Sequence, residues 1–436
     1  MSRDSRTTRT RVLAALAVAL VAAGCGGGDD TSSGSGSEPV EITFWHGQTQ
    51  GVADLLQDMI DEFNESHPDI VVSKDSGGVN SDRMLQKVTA GLQAGTYPDI
   101  AYIYGSDLAN LAAGDQLVNL TDAIDSGEID WDRFEQPAID AVTVDGQPRA
   151  VPAFIDNLAV VYNKDIFDAA GVDYPTDDWT WDDFLSAAAK LNDPGAGIAG
   201  FGWPGTGDED TTWRIWPMVW QGGGEIVSED GESVGFDGEP GEQALEQVAR
   251  AADDGSVYID STAGAERMQQ LFASGKMAMN IAGPYSLPEY VDADVNYGVA
   301  ELPSFTDEHT TIAGPHTWAV FDNGSERVAA ALEFLNWFSE PDQQIRWISE
   351  AGSLPLTTDI SEAKGFEQYE KSLPGLEKYI ANTKLARTRP TIPQYPQISQ
   401  AMGEAIASVL YQKAEPAEAL QQAVDTANSE LQAPGP

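Results

Sequence analysis

Glu41-Ile42-Thr43-Phe44-Trp45-His46 opens the folded part of the chain, and the run from here to Tyr104 decides the fold. Polar and apolar residues alternate from Glu41 to Phe44, which is the period of a half-buried strand. Leu55, Leu56, Met59, Ile60 and Phe63 then recur at helical spacing over 53–66, and Pro68 stops the helix. Ile70-Val71-Val72 reads as the next strand. A second amphipathic helix over 84–94 closes at Gly95, and Pro98-Asp99-Ile100-Ala101-Tyr102-Ile103-Tyr104 reads as a buried strand. Strand–helix alternation of this kind predicts an α/β lobe built on a largely parallel sheet.

A second α/β region begins near Val151. Leu158-Ala159-Val160-Val161-Tyr162 reads as a strand, and Thr180 as the cap of a helix over 181–191. Further helices are expected over 241–252, 265–274, 326–339, 341–350, 397–412 and 416–431. No tandem repeat of fixed period is visible. The length of 436 residues suits two lobes after a short leader.

The leader has its own chemistry. Arg3, Arg6, Arg9 and Arg11 precede an apolar run over 12–23, close to a secretory signal in length and too short to span a bilayer. The run ends in Ala22-Ala23-Gly24-Cys25, which resembles a bacterial lipobox, with Ala22 where Leu is more usual. Cys25 is the only cysteine. It is therefore expected to carry lipid and to start the mature chain, which excludes an internal disulfide. Residues 26–38 are Gly, Ser, Thr and Asp with almost no apolar content, the composition of a flexible tether. The formal net charge of −46 argues against a nucleic-acid partner and against electrostatic docking on anionic lipid.

Five segments carry a resemblance. They are Ile42-Thr43-Phe44-Trp45-His46 with the helix through Phe63-Asn64; 156–167 with Tyr162-Asn163-Lys164-Asp165, then 179–184; 272–279 running into Gly283-Pro284-Tyr285; 295–299 with Leu302-Pro303; and 330–338 with Pro341 and Gly352-Ser353-Leu354-Pro355. In this order they resemble the extracellular solute-binding proteins of ABC importers, in particular the carbohydrate branch, with the glycerol-3-phosphate branch close behind. The resemblance runs from about Val40 to the C-terminus. It implies a two-lobe periplasmic-binding-protein fold with hinge-linked, discontinuous α/β lobes and a ligand cleft between them. The expected division is a signal at 1–24, a tether at 25–40, an N-terminal lobe from 41–152 and 300–338, and a C-terminal lobe from 153–299 and 339–436. It further implies a monomer on the outer face of the cell membrane. Its partners would be the permease subunits of the importer and a small carbohydrate, and it would need no cofactor and no metal.

Sugars offer apolar ring faces and a rim of hydroxyls, so aromatic side chains and planar polar groups are the natural ligand contacts. Tyr285, after Gly283-Pro284, matches a stacking aromatic of the family. Trp213 fits the same role, while Trp216, beside Pro217, also fits a core position. Asp156 and Asn157 fall where the family places a hydroxyl-accepting carboxylate. His46 and Gln48 follow the first strand, and Ser106 and Asp107 follow the Tyr104 strand, at the carboxyl ends where open α/β sheets hold ligands. His316 and Trp318 lie in Gly314-Pro315-His316-Thr317-Trp318. Arg387, Arg389 and Tyr395 come from the C-terminal segment that reaches the cleft in the family, and an arginine there suits a hydroxyl pair or a phosphate.

An enzyme is the rival reading. The chain has no nucleophile elbow, no P-loop and no zinc-binding histidine pair, and it holds 4 histidines. A glycosidase needs only two carboxylates, and 70 Asp and Glu make chance pairs certain. No catalytic residue is therefore assigned. A structural or adhesive lipoprotein, with no closing cleft, is the third reading.

Overall fold

The computed structural model describes residues 38–48, 50–78, 81–134, 136–306, 308–360 and 363–433. The expected signal, the lipidation site Cys25 and the tether up to residue 37 lie outside them. The opening alternation forms as read: β1 (Val40–His46) buries Ile42 and Phe44, and α1 (Gln50–Ser66) buries Leu56, Met59, Ile60 and Phe63 against it. β2 (Ile70–Ser76), α2 (Ser81–Ala94) and β3 (Ile100–Tyr104) follow. β1 pairs in parallel with both β2 and β3.

The chain then extends this sheet from far away in sequence. β4 (Val151–Asn157) is its next contribution. One residue later, β5 (Ala159–Asn163) belongs to a second sheet, so the chain changes sheets at Leu158. Helix α3 (Trp181–Leu191) begins at a capping box, with the Thr180 hydroxyl accepting from the Asp183 amide and the Asp183 carboxylate accepting from the Thr180 amide. β6 (Ala199–Pro204), α4 (Glu239–Asp254), β7 (Val257–Asp260), β8 (Met277–Ala282) and β9 (Tyr297–Ala300) complete the second layer, in the order β9-β5-β8-β6-β7.

β10 (Thr311–Val320) returns to the first sheet, antiparallel to both β3 and β4. It is followed by α5 (Ser325–Phe338) and α6 (Pro341–Ala351). An ion pair on a buried carboxylate fixes the return: Asp99, at the entrance to β3, accepts from Nε and Nη2 of the half-exposed Arg327 on α5 at 2.7 and 2.5 Å. α6 packs on α1, with Arg346 Nη1 2.7 Å from Glu62 Oε2. Further on, the Tyr379 hydroxyl donates to the Ala282 carbonyl of the second sheet. The stretch after Ser339, expected wholly in the second lobe, thus touches both layers. β11 (Ala386–Arg387) pairs with Thr311 and Ile312 of β10, and α7 (Tyr395–Leu410) and α8 (Pro416–Leu431) pack together in the second core.

Three chain passages therefore meet at one place. The Thr311 hydroxyl donates to the Leu158 carbonyl at 2.8 Å and accepts from the Leu158 amide at 3.3 Å, while Ala386 pairs with Thr311 from the other side. Links this close allow the layers to rotate about them with little change elsewhere.

Candidate functional site

A cavity of about 460 Å³ lies between the layers. This is within the usual range for small-molecule sites, about 300–1,000 Å³. The first layer lends the end of β1 through Gln48, β3 through Tyr102 and Tyr104, β4 through Phe154 and Asp156, and β10 through His316. The second layer contributes Glu209, Asp210, Trp213 and Tyr285, and the third passage contributes Arg389.

The aromatic part is one platform. The rings of Trp213 and Tyr285 have centroids 6.4 Å apart and planes 22° apart, the geometry of an offset pair. Two jaws closing on a ring from opposite sides would stand further apart, about 7–8 Å, since each contact takes 3.5–4 Å. Gly314 makes room for the platform, because a Cβ there would sit 2.9 Å from Trp213 Cζ2. Burial pushes the Tyr285 hydroxyl up to about 12, so it stays protonated.

A hydrogen-bonded chain crosses the floor. The Tyr102 hydroxyl bonds to His316 Nδ1, and His316 Nε2 lies 3.1 Å from Asp156 Oδ2. The arrangement satisfying all three has Tyr102 donating to Nδ1 and Nε2–H donating to the carboxylate. Phe154 stacks on the imidazole at 4.3 Å and holds its plane. Asp156 is 3% exposed, and its Oδ1 has no protein partner.

The second polar group is built on Glu209, at the start of the short helix Glu209–Thr212. Its carboxylate accepts from Arg389 Nη1 at 2.5 Å, from the Tyr395 hydroxyl at 2.9 Å and from the Ser399 hydroxyl. Burial opposes the charge on Arg389, but Glu209 and Tyr395 outweigh it and raise the guanidinium above its ordinary value. The Glu209 amide donates to Asp82 Oδ2 of α2 at 3.4 Å, a contact between the layers. Burial, then Glu209 and Asp208, raise Asp82 to about 6. Burial and Asp208 raise Asp210 to about 7, against the pull of Arg214.

These raised carboxyls have a stability consequence. Asp210 is protonated in the fold but ionised when unfolded between its ordinary 3.8 and about 7. Its contribution is complete below the ordinary value and is lost as pH rises toward 7. Asp82 acts in the same direction up to about 6. Asp210→Asn, neutral throughout, should therefore gain in melting temperature relative to the parent as pH rises from acid to neutral. Thermal melts of both proteins across that range check this; a constant difference would contradict it.

Of the residues expected at the site, Gln48, Asp156, Trp213, Tyr285, His316 and Arg389 line the cavity. Eight others do not. Trp318 is fully buried in the first core between Phe44, Phe338 and Trp347. Trp216 is fully buried in the second, its Nε1 donating to the Tyr395 hydroxyl at 3.1 Å, so Tyr395 acts behind Glu209. Asn157 donates to the Tyr379 carbonyl at 2.9 Å. Arg387 pairs with Glu225 at 2.7 Å and covers the Trp220 ring. His46 is buried, and desolvation, then the nearby Lys74 charge, lowers it to about 4. Ser106 and Asp107 are buried in the turn after β3, from which the Asp107 charge acts on Arg389. Tyr102, Tyr104, Phe154, Glu209 and Asp210 were not anticipated. Tyr102 and Tyr104 fall in the strand read as buried, and Phe154, Glu209 and Asp210 carry no local pattern that singles them out.

Two α/β layers that exchange strands around an aromatic cleft define the two-lobe fold of periplasmic sugar-binding proteins. The family model described as bacterial extracellular solute-binding protein matches residues 47–345, and the chain belongs to that family. It is 26% identical over 420 residues to the sn-glycerol-3-phosphate-binding periplasmic protein UgpB of Brucella abortus (strain 2308), a match covering 90% of this chain and 93% of the relative. Among solved structures it is similar to the cyclic alpha-maltosyl-1,6-maltose binding protein from Arthrobacter globiformis, with 28% identity, a TM-score of 0.72, and coverage of 90% of this chain and 99% of the other. It also resembles the ABC substrate-binding protein Lmo0181 from Listeria monocytogenes in complex with cycloalternan, at 23% identity and a TM-score of 0.80, with coverage of 90% and 99%.

Proposed function

We propose that this protein captures a carbohydrate, a mono- or oligosaccharide, outside the cell and delivers it to the permease subunits of an ABC importer. The observation that carries this reading is the set of buried polar atoms without protein partners at the cavity. Gln48 Nε2, Trp213 Nε1 and Arg389 Nε are donors, Asp156 Oδ1 is an acceptor, and Asp210 Oδ2 belongs to a carboxyl that can donate or accept. Leaving such a group unpaired costs about 1–3 kcal/mol. A ligand with several hydroxyls satisfies donors and acceptors together, and its apolar ring face covers Trp213 and Tyr285. A simple apolar ligand satisfies neither set.

Glycerol-3-phosphate or a glycerophosphodiester is the second reading, supported by the UgpB relative and by the presence of Arg389. A thermal-shift screen across neutral sugars and glycerophosphate esters separates the two. Ligand at 100 times its dissociation constant stabilises by about 2.7 kcal/mol, well above detection. Stabilisation by glycerophosphate esters alone would reverse the order of the two readings.

The lobe division belongs to this proposal. The first sheet gathers 40–157 and 311–320 and the second 159–300, which supports moving the first crossing from 152 to Leu158; the packing of α6 on α1 supports moving 341–351 into the first lobe. We read the protein as a monomer that binds its ligand without chemical change, and incubation with oligosaccharides should return them intact. Lipid on Cys25 would hold it at the membrane, since among the described residues no helix is long and apolar enough to cross one. Cys25→Ser should move the protein from the membrane fraction to the medium. Unchanged membrane association would contradict the anchor.

A further inference from the structure

We propose that the ligand of this cleft carries a protonated amine among its hydroxyls, because Asp156 and Asp210, both lining the cavity, each hold a buried carboxyl oxygen without a protein partner while the cavity's basic side chain is already paired. The inference rests on the carbohydrate reading above and narrows it to amine-bearing sugars.

The charge census at the site supports it. Arg389 is the one Lys or Arg among the described residues lining the cavity, and its Nη1 is engaged by Glu209 at 2.5 Å. Arg214, behind the wall, donates Nε to the Ile281 carbonyl and Nη1 to the Asp210 carbonyl, so it bonds the backbone of Asp210 and not its carboxylate. At the mouth, Glu289, Asp292 and Glu350 add negative charge.

Asp156 is the sharpest element. Its Oδ2 takes the bond from His316, and its Oδ1 is buried without a partner. A hydroxyl satisfies such an oxygen as a neutral donor. An ammonium satisfies it with a charge-assisted bond, which is shorter and roughly twice as strong. The same cation is attracted to the faces of Trp213 and Tyr285. Burial already holds Asp210 near neutrality, up to about 7, and a bound cation would lower it and restore its charge. A phosphate instead meets like charge at Asp156 and at the mouth residues Asp292 and Glu350.

The test uses the full chain and matched probes: amine-bearing mono- and oligosaccharides of the glucosamine series, each beside its N-acetylated form, with maltotriose as a neutral reference. Calorimetry near neutral pH keeps a large part of the amines protonated while no longer holding Asp210 fully neutral. We expect at least one free amine to bind about tenfold tighter than its N-acetylated partner, the preference shrinking as salt is added. Asp156→Asn should remove most of that preference, with affinity for any neutral sugar changing less. Should Asp156→Asn fail to fold, Asp210→Asn provides the second reading. Equal or tighter binding of the neutral partners throughout overturns the amine and leaves the carbohydrate reading standing. Binding of glycerol-3-phosphate, with none to any sugar of either kind, overturns both.

Discussion

Glu209→Ala is expected to lower the unfolding free energy by about 3–5 kcal/mol, the cost of stripping a buried charge of its partner. The side chains of Arg389 and Glu209 are 5% and 11% exposed. With the carboxylate gone, the guanidinium stays in low dielectric, and the hydroxyls of Tyr395 and Ser399 lose their acceptor as well. The loss should be non-additive. Adding Arg389→Met to Glu209→Ala removes the stranded charge and should recover part of the stability, which a double-mutant cycle in guanidinium measures. If the double variant is less stable than Glu209→Ala by the full cost of Arg389→Met alone, the two residues are not coupled and the account of this node is wrong.

The second large effect is on binding. Trp213→Ala and Tyr285→Ala should each weaken sugar affinity tenfold or more, since about 1.4 kcal/mol is a factor of ten and a lost aromatic platform costs at least that. The rings form one offset pair, so removing either uncovers the ring surface of the other that faced it. The double variant should then lose less than the sum of the singles. Trp213 is only partly buried and Tyr285 follows a strand end, so both variants should keep their fold, which circular dichroism checks. Unchanged affinity in two folded single variants would place the ligand elsewhere.

The same residues mark how far the sequence can be read. The alternation around Phe44 and the spacing of Leu56, Met59 and Phe63 gave β1 and α1 because burial on one face leaves a period. Tyr285 was legible as an aromatic after the Gly283-Pro284 turn, and Trp213 through the family resemblance of its segment. Trp318 and Trp216 carry similar local signals but lie in the cores; which face of β10 meets the cleft is a matter of register with β3 and β4. Tyr102 and Phe154 failed in the other direction, since a strand side chain facing an aromatic cleft looks like one facing the core. The pairing of Glu209 with Arg389 spans 180 positions and leaves no local pattern. Conversely, the meeting of Leu158, Thr311 and Ala386 follows from topology, which periodicity does not encode.

The most direct test of the central claim is a crystal structure of the protein with the sugar that gives the largest thermal shift. The account predicts a pyranose face on Trp213 and Tyr285, with ligand oxygen or nitrogen atoms about 2.7–3.2 Å from Asp156 Oδ1 and Gln48 Nε2. A sugar seated outside this cavity, with the Trp213 and Tyr285 faces uncovered and Asp156 Oδ1 still without a partner, would contradict it.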